Sequence, residues 1–133
     1  MFDTLLKYAD APARALMALI FILSGYSKIG AFEATQGYMT AFGLPAALLI
    51  PTIAFEIGAG LLLLIGFGAR YVALALSGFC LLTALIFHRA FDDQIQMVMF
   101  LKNLAMTGGF LLLAKTGAPG LSLDGWRAAC KGV

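Results

Sequence analysis

The sequence predicts an all-α integral membrane protein, an up-down four-helix bundle with a short outer-side interfacial helix between helices 1 and 2. Three observations carry this. Of 133 residues, 62% are hydrophobic and 12% charged, and the mean hydropathy is +0.94. A soluble domain is only about half apolar, and so few charges cannot cover that much oil in water. Four apolar runs are each long enough to cross a hydrocarbon core of about 30 Å as a helix. The links between the later runs are short, which makes successive helices antiparallel neighbours. Lipid offers no partner to a free N–H or C=O, so each run must be helical. A single domain, residues 1–133, uses the whole chain.

The first span covers residues 12–29, with Pro12 in its first turn, where a missing N–H costs little. Lys7 and Arg14 ahead of an apolar run suggest a signal peptide. Bulky Phe32 follows it, however, with no small-residue cleavage site, so the run reads as a retained span. Residues 30–45 form the one longer loop. Phe32, Tyr38, Met39, Phe42 and Leu44 are interspersed there with Glu33, Thr35, Gln36 and Thr40. Residues 32–42 read either as an interfacial helix lying over the bundle mouth or as an aromatic belt anchor with no ligand role. Gly43-Leu44-Pro45 turns the chain into the second span, residues 46–67, with Pro51 in its first turn. Gly66, Gly68 and Arg70 make a tight turn into the third span, residues 71–88. Residues 89–94 turn into the fourth, residues 95–114. Small residues spaced by four, Ala54 with Gly58 and Ala69 with Ala73 and Ser77, predict close helix contacts.

Orientation follows the Lys/Arg bias of the loops. Lys7, Arg14, Arg70, Lys115, Arg127 and Lys131 fall on one side, and Arg89 on the other with Glu33, Asp92 and Asp93. The first side is predicted to be cytoplasmic, with both termini inside. A net charge of +2 without a basic stripe points to the bilayer as partner and not to nucleic acid. Cys80 lies mid-span and Cys130 in the polar tail, so the two do not pair. With no CxxC, thiol–disulfide exchange by this chain alone is not expected.

Glu56 falls near the midplane of the second span. A carboxylate there costs at least about 2.5 kcal/mol on insertion scales, so it needs a partner, a proton or a water-filled cavity. Possible partners at similar depth are Lys28, His88, Lys102 and Asn103. All lie between the outer surface and the centre, and the inner half carries almost nothing ionisable, which predicts a polar pocket toward the outer face. Helical spacing places Thr52, Glu56 and Gly60 on one face of the second span. It places Ser24 with Lys28 on the first, and Gln96, Met99, Asn103 and Thr107 on the fourth. Glu56 is either a structural ion pair that fixes helix register or a functional acceptor for a proton or a ligand hydroxyl. Lys102, deeper than Lys28, is the expected partner; Lys28 is able to snorkel to the interface instead. Asn103 suits an interhelical hydrogen bond. His88 suits either an interface residue or a proton relay, because imidazole titrates near neutral pH.

Several chemistries lack their residues. One His cannot give paired axial ligands to a haem, and no Cys, His and carboxylate set has metal-ligand spacing. There is no phosphate loop after a strand, and no Ser-His-Asp order. A redox centre, if used, is borrowed: a quinone in the bilayer or a cofactor on another subunit.

The ordered motifs Phe21-Ile22-Leu23-Ser24-Gly25-Tyr26-Ser27-Lys28, Gly43-Leu44-Pro45, Glu56-Ile57-Gly58-Ala59-Gly60, Gly66-Phe67-Gly68-Ala69-Arg70 and Phe100-Leu101-Lys102-Asn103-Leu104-Ala105 with Gly108-Gly109 resemble the DoxX family. The resemblance covers nearly the whole chain. It implies a small, four-helix, bacterial inner-membrane protein, whose family founder is similar to a subunit of a thiosulfate:quinone oxidoreductase. Other members are linked to oxidative-stress and thiol-redox membrane assemblies. The family's recurring polar positions match Lys28, Glu56, Lys102 and Asn103. The expected function is therefore a redox-associated, quinone-linked subunit, with a possible partner subunit and possible homo-oligomers. Its pocket would use Ser24, Tyr26, Lys28, Tyr38, Glu56, Lys102 and Asn103 for binding, and Glu56 and His88 for proton transfer. Two other readings stay open: a non-enzymatic binding or transport module for a small solute or lipid, and a scaffold whose polar cluster only locks helices. The chain has no catalytic constellation of its own.

Overall fold

The computed structural model describes residues 1–132. Among these the secondary structure is helical, without strands: α1 (Phe2–Gly30), α2 (Phe32–Ala41), a 3-10 turn (Ala46–Leu48), α3 (Leu49–Ile65), α4 (Ala69–Phe87), α5 (Gln94–Thr116) and α6 (Leu123–Cys130). Three stretches are long and apolar enough to cross a membrane by themselves: Ala46–Ile65, Ala69–Phe87 and Gln94–Thr116. The helices α1 and α2 pass the same test as a pair bent by 102°. The chain divides into two compact units, Met1–Gly68 with the segment from Ala118 onward, and Ala69–Gly117.

In the first unit α1 packs antiparallel to α3. Ala18, Phe21 and Gly25 form the buried stripe of α1, at the three- and four-residue spacing of one helix face. They meet the α3 face that buries Leu49, Glu56, Ala59, Gly60 and Leu63. Two glycines set the close approach. A Cβ on Gly25 would lie 2.6 Å from Ile57 Cγ1, and one on Gly60 would lie 2.7 Å from Ile22 Cγ1. Any larger side chain at either place forces the helices apart. The predicted small pair sits elsewhere: Ala54 is exposed and a Cβ on Gly58 would meet open space. Ala54 and Gly58 lie off the face of α3 that meets α1.

The first helix also starts earlier than the apolar run suggested. It begins at Phe2, so Pro12 lies inside it and leaves the Tyr8 carbonyl without its i+4 amide. Hydropathy marks where a span enters lipid, and the helix runs on beyond that point. α2 fits the expected short helix in the long loop. Its Tyr38 and Phe42 rings are 5.0 Å apart, and Gln36 Nε2 donates to the Ala46 carbonyl at 3.3 Å. Ala31 carries the bend, and its N–H caps α1 on the Ser27 carbonyl. At the far end of α3, Gly66 takes φ 71°. The Phe67 N–H then reaches back to the Leu62 carbonyl at 3.0 Å, the six-to-one bond of a glycine-ended helix.

The second unit is the antiparallel hairpin of α4 and α5. Its polar pairs run in one register along both helices. Arg70 Nη1 donates to the Lys115 carbonyl at 2.8 Å. Ser77 and Thr107 each donate a hydroxyl to the other's carbonyl, at 3.3 and 3.4 Å. Thr83 Oγ1 donates to Asn103 Oδ1 at 3.2 Å, and His88 Nδ1 lies 2.8 Å from Gln96 Oε1. Asp93 caps α5, its Oδ1 accepting from the Ile95 N–H at 2.9 Å. Ala69, Ala73 and Ser77 are all buried, as the small-residue spacing predicted.

Candidate functional site

The polar group nearest the middle of the first unit is a closed triangle of three side chains. Ser24 and Lys28 are one turn apart on α1, and Glu56 faces them from α3. Lys28 Nζ donates to Ser24 Oγ at 2.6 Å and to Glu56 Oε1 at 3.1 Å. Ser24 Oγ in turn donates to Glu56 Oε1 at 3.3 Å. The ammonium is also 3.0 Å from Glu56 Oε2. That second approach is an ion-pair contact without hydrogen-bond geometry, so Oε2 is buried and accepts no hydrogen bond. The side chains are 5% exposed at Glu56 and 25% at Lys28. Close packing at Gly25 and Gly60 holds the carboxylate this near to α1.

The triangle brings together Ser24, Lys28 and Glu56 of the expected set. The cation at Glu56 is Lys28; Lys102 is exposed on α5, in the second unit. The depth argument favoured Lys102 because Lys28 lies near the outer end of α1. The Lys28 side chain does not snorkel outward; it reaches back one turn to Ser24 and across to Glu56 on α3. Asn103 stitches α4 to α5: its Oδ1 accepts from Thr83, and its Nδ2 donates to the Met99 carbonyl at 2.9 Å. His88 follows the end of α4 and pairs with Gln96. Tyr26 is 72% exposed, on a face of α1 that Ser24 and Lys28 do not share. Tyr38 belongs to α2, against Phe42.

A second buried polar cluster corrects the expectation of an inner half almost free of ionisable groups. Arg14 is 1% exposed. Its Nη1 donates to the Leu63 and Leu64 carbonyls at 2.9 and 3.0 Å, its Nη2 to the Leu121 carbonyl at 2.6 Å, and its Nε to Asp10 Oδ1 at 3.3 Å. The guanidinium thus supplies a donor to the Leu64 carbonyl at the end of α3, where intrahelical donors run out, and a second one to the Leu63 carbonyl, which also accepts the Gly66 N–H at 3.1 Å. It also ties the segment before α6 to α1 and α3. By loop charge alone Arg14 is a flanking residue of the first span. The available signal was Asp10 one turn before it, an i,i+4 acid–base pair.

Chemically, the triangle offers a held cation, a hydroxyl and a carboxylate with one unused acceptor. Among the described residues no group of three or more His, Cys, Asp or Glu side chains is arranged to hold a metal ion.

A family model described as DoxX matches residues 9–89, a stretch that holds Ser24, Lys28 and Glu56 and ends before Lys102 and Asn103. The chain is similar to the inner membrane protein YqjF of Escherichia coli (strain K12), with 47% identity over 112 residues, covering 84% of this chain and 86% of that protein. It is also similar to the inner membrane protein YphA of the same organism, with 39% identity over 119 residues, covering 84% and 85%. No solved structure matches it. A family match over more than half of the sequence, joined to relatives this similar along most of their length, makes the chain a member of the DoxX family of membrane proteins.

Proposed function

We propose that this protein is the membrane-embedded subunit of a quinone-linked redox assembly, and that the Ser24–Lys28–Glu56 triangle holds a quinone-class head group. Glu56 Oε2 supports this reading most directly. It is a buried carboxylate oxygen that accepts no hydrogen bond and has the Lys28 ammonium 3.0 Å away as an ion-pair neighbour, so its acceptor capacity is not filled. A hydroxyl of a reduced quinone would satisfy it, and the Lys28 ammonium would suit a ring carbonyl. A bound quinone supplies two-electron, two-proton chemistry that Ser, Lys and Glu side chains do not offer. In this role Glu56 accepts the hydrogen bond, Lys28 holds the charge of the carboxylate in place, and Ser24 orients both. The proposal uses only residues of the first unit. It takes α1 as a fourth span of an up-down four-helix arrangement, with both termini cytoplasmic.

The test is retention of quinone. The full chain is purified in mild detergent, and its quinone content is measured by solvent extraction and chromatography. Thermal stability is then read with added ubiquinone. The expected result is a dose-dependent rise in melting temperature that falls at least several-fold in Glu56→Gln, with helix content unchanged. No rise in the parent protein would end the quinone reading. A redox-inert molecule on the purified chain, identified by mass spectrometry and lost in Glu56→Gln, would move the same site to the binding-module reading.

A further inference from the structure

We infer that the first unit carries a second binding site, for an anionic phospholipid, in the groove where α6 meets the ends of α1 and α3. The groove is open and shallow, with a volume of about 630 Å³, and is lined by Ala11, Pro12 and Ala15 of α1, Leu64 and Ile65 of α3, and Trp126 of α6, among others. That volume is within the range of small-molecule sites, about 300–1,000 Å³. Its walls are almost wholly apolar. Leu64 and Ile65 close the Ala46–Ile65 span, so the groove lies at the depth where acyl chains give way to head groups. Trp126 is 64% exposed and Leu121 83%. Tryptophan at that level is the residue of membrane interfaces.

Charge selects the head group. Among the described residues the exposed charged side chains of this end are Lys7, Arg127 and Lys131 against Asp3. Asp10 pairs with Arg14 through Oδ1, its buried Oδ2 accepting no hydrogen bond, and Asp124 Oδ1 accepts the Gly68 N–H at 2.9 Å. None of these charges lines the groove; the excess of cationic side chains around it favours an anionic head group over a zwitterionic one. Arg127 is held at this end by Phe67, with Cζ 5.4 Å from the ring centroid.

The groove is also built in advance. Arg14 ties the Leu121 carbonyl to the end of α3. The Asp124 N–H donates to the Gly66 carbonyl at 2.9 Å. Gly66 lies directly against Ser122 and Arg14, where a Cβ has no room. The walls therefore need little ordering when a chain enters, which lowers the cost of binding.

Trp126 is the only tryptophan in the sequence, so its fluorescence reports this groove and nothing else. The full-length protein is reconstituted in phosphatidylcholine nanodiscs. Phosphatidylglycerol or phosphatidylcholine with brominated acyl chains is then added at equal mole fraction. The expected result is stronger quenching by the brominated phosphatidylglycerol. Arg127→Gln and Lys131→Gln should each weaken that preference roughly five-fold, the worth of one basic residue near an anionic surface. Ala15→Phe, which fills the groove and leaves the charges alone, should abolish the preference; Ala11→Leu is the milder version if Ala15→Phe does not fold. Equal quenching by the two lipids in the parent protein would overturn the proposal. So would a preference that survives the folded groove-filling variant, since that is a loose annulus and not a site. Protection of Trp126 from both lipids would assign the groove to a protein partner and overturn it too.

Discussion

At the scale of single residues, the energetics of the first unit turn on how unequally Glu56 and Lys28 are buried. The carboxylate side chain is 5% exposed and the lysine 25%. Removing the lysine leaves a charge that cannot reach water, with only Ser24 to donate to it. Removing the glutamate leaves a flexible cation that can extend toward the surface. Lys28→Met is therefore expected to destabilise the protein more than Glu56→Gln, because an unpaired buried charge costs more than the pair contributes. The double variant should recover much of the loss, with a coupling of about 0.5–3 kcal/mol. Reversible unfolding in mixed micelles, run on all four proteins of the cycle, measures both quantities. Equal single effects that simply add would show that the 3.0 Å approach carries no energy.

At the scale of elements, the sequence was most legible where lipid sets the rule. Apolar runs gave α3, α4 and α5 to within a few residues, because in hydrocarbon length and hydropathy leave only a helix. The short helix α2 was legible from its mixed pattern and the Gly43-Leu44-Pro45 turn. Helix faces were less so. Glu56 was found from depth, but choosing its partner required the α1–α3 contact, and that contact depends on Gly25 and Gly60 meeting Ile57 and Ile22. No helical period in one segment reports which small residues face a neighbour. Arg14 was hidden for the same reason, since a loop-charge count cannot separate a snorkelling arginine from one that caps another helix. Its position leads to a prediction at this scale. Arg14→Leu removes a donor from three carbonyls, Leu63, Leu64 and Leu121; Leu63 keeps the Gly66 N–H at 3.1 Å, and Leu64 and Leu121 each cost about 1–3 kcal/mol if left unpaired. Hydrogen exchange should rise first in residues 118–130, whose attachment to α3 runs through this side chain, before the amides of the α1–α3 core respond. Arg14→Lys should restore only part of the protection, because an ammonium lacks the planar fork that spans these acceptors. An unchanged exchange pattern in Arg14→Leu would mean that α6 is held by its other contacts, such as the Asp124 N–H on Gly66.

At the scale of the whole molecule, the two units carry different kinds of polar group. In the second unit a series of polar pairs joins α4 to α5, from Arg70 to His88. In the first unit two buried carboxylate oxygens accept no hydrogen bond, Glu56 Oε2 in the triangle and Asp10 Oδ2 beside Arg14. A ligand is therefore expected at Glu56 before it is expected at Asn103, and the family match over residues 9–89 covers the former position and not the latter. Orientation is the remaining property of the whole chain, and the cysteines test it without any substitution. Cys130 is exposed near the end of α6, whereas Cys80 is buried within α4. By the loop count Lys7, Arg70, Lys115, Arg127 and Lys131 fall on one side, which the positive-inside rule predicts to be cytoplasmic. A membrane-impermeant maleimide added to intact spheroplasts should therefore leave the protein unmodified. After permeabilisation it should add one label, at Cys130, identified by peptide mass spectrometry. Labelling of Cys130 in sealed spheroplasts would reverse the orientation, placing the Trp126 groove in the outer leaflet and the Glu56 triangle nearer the cytoplasm.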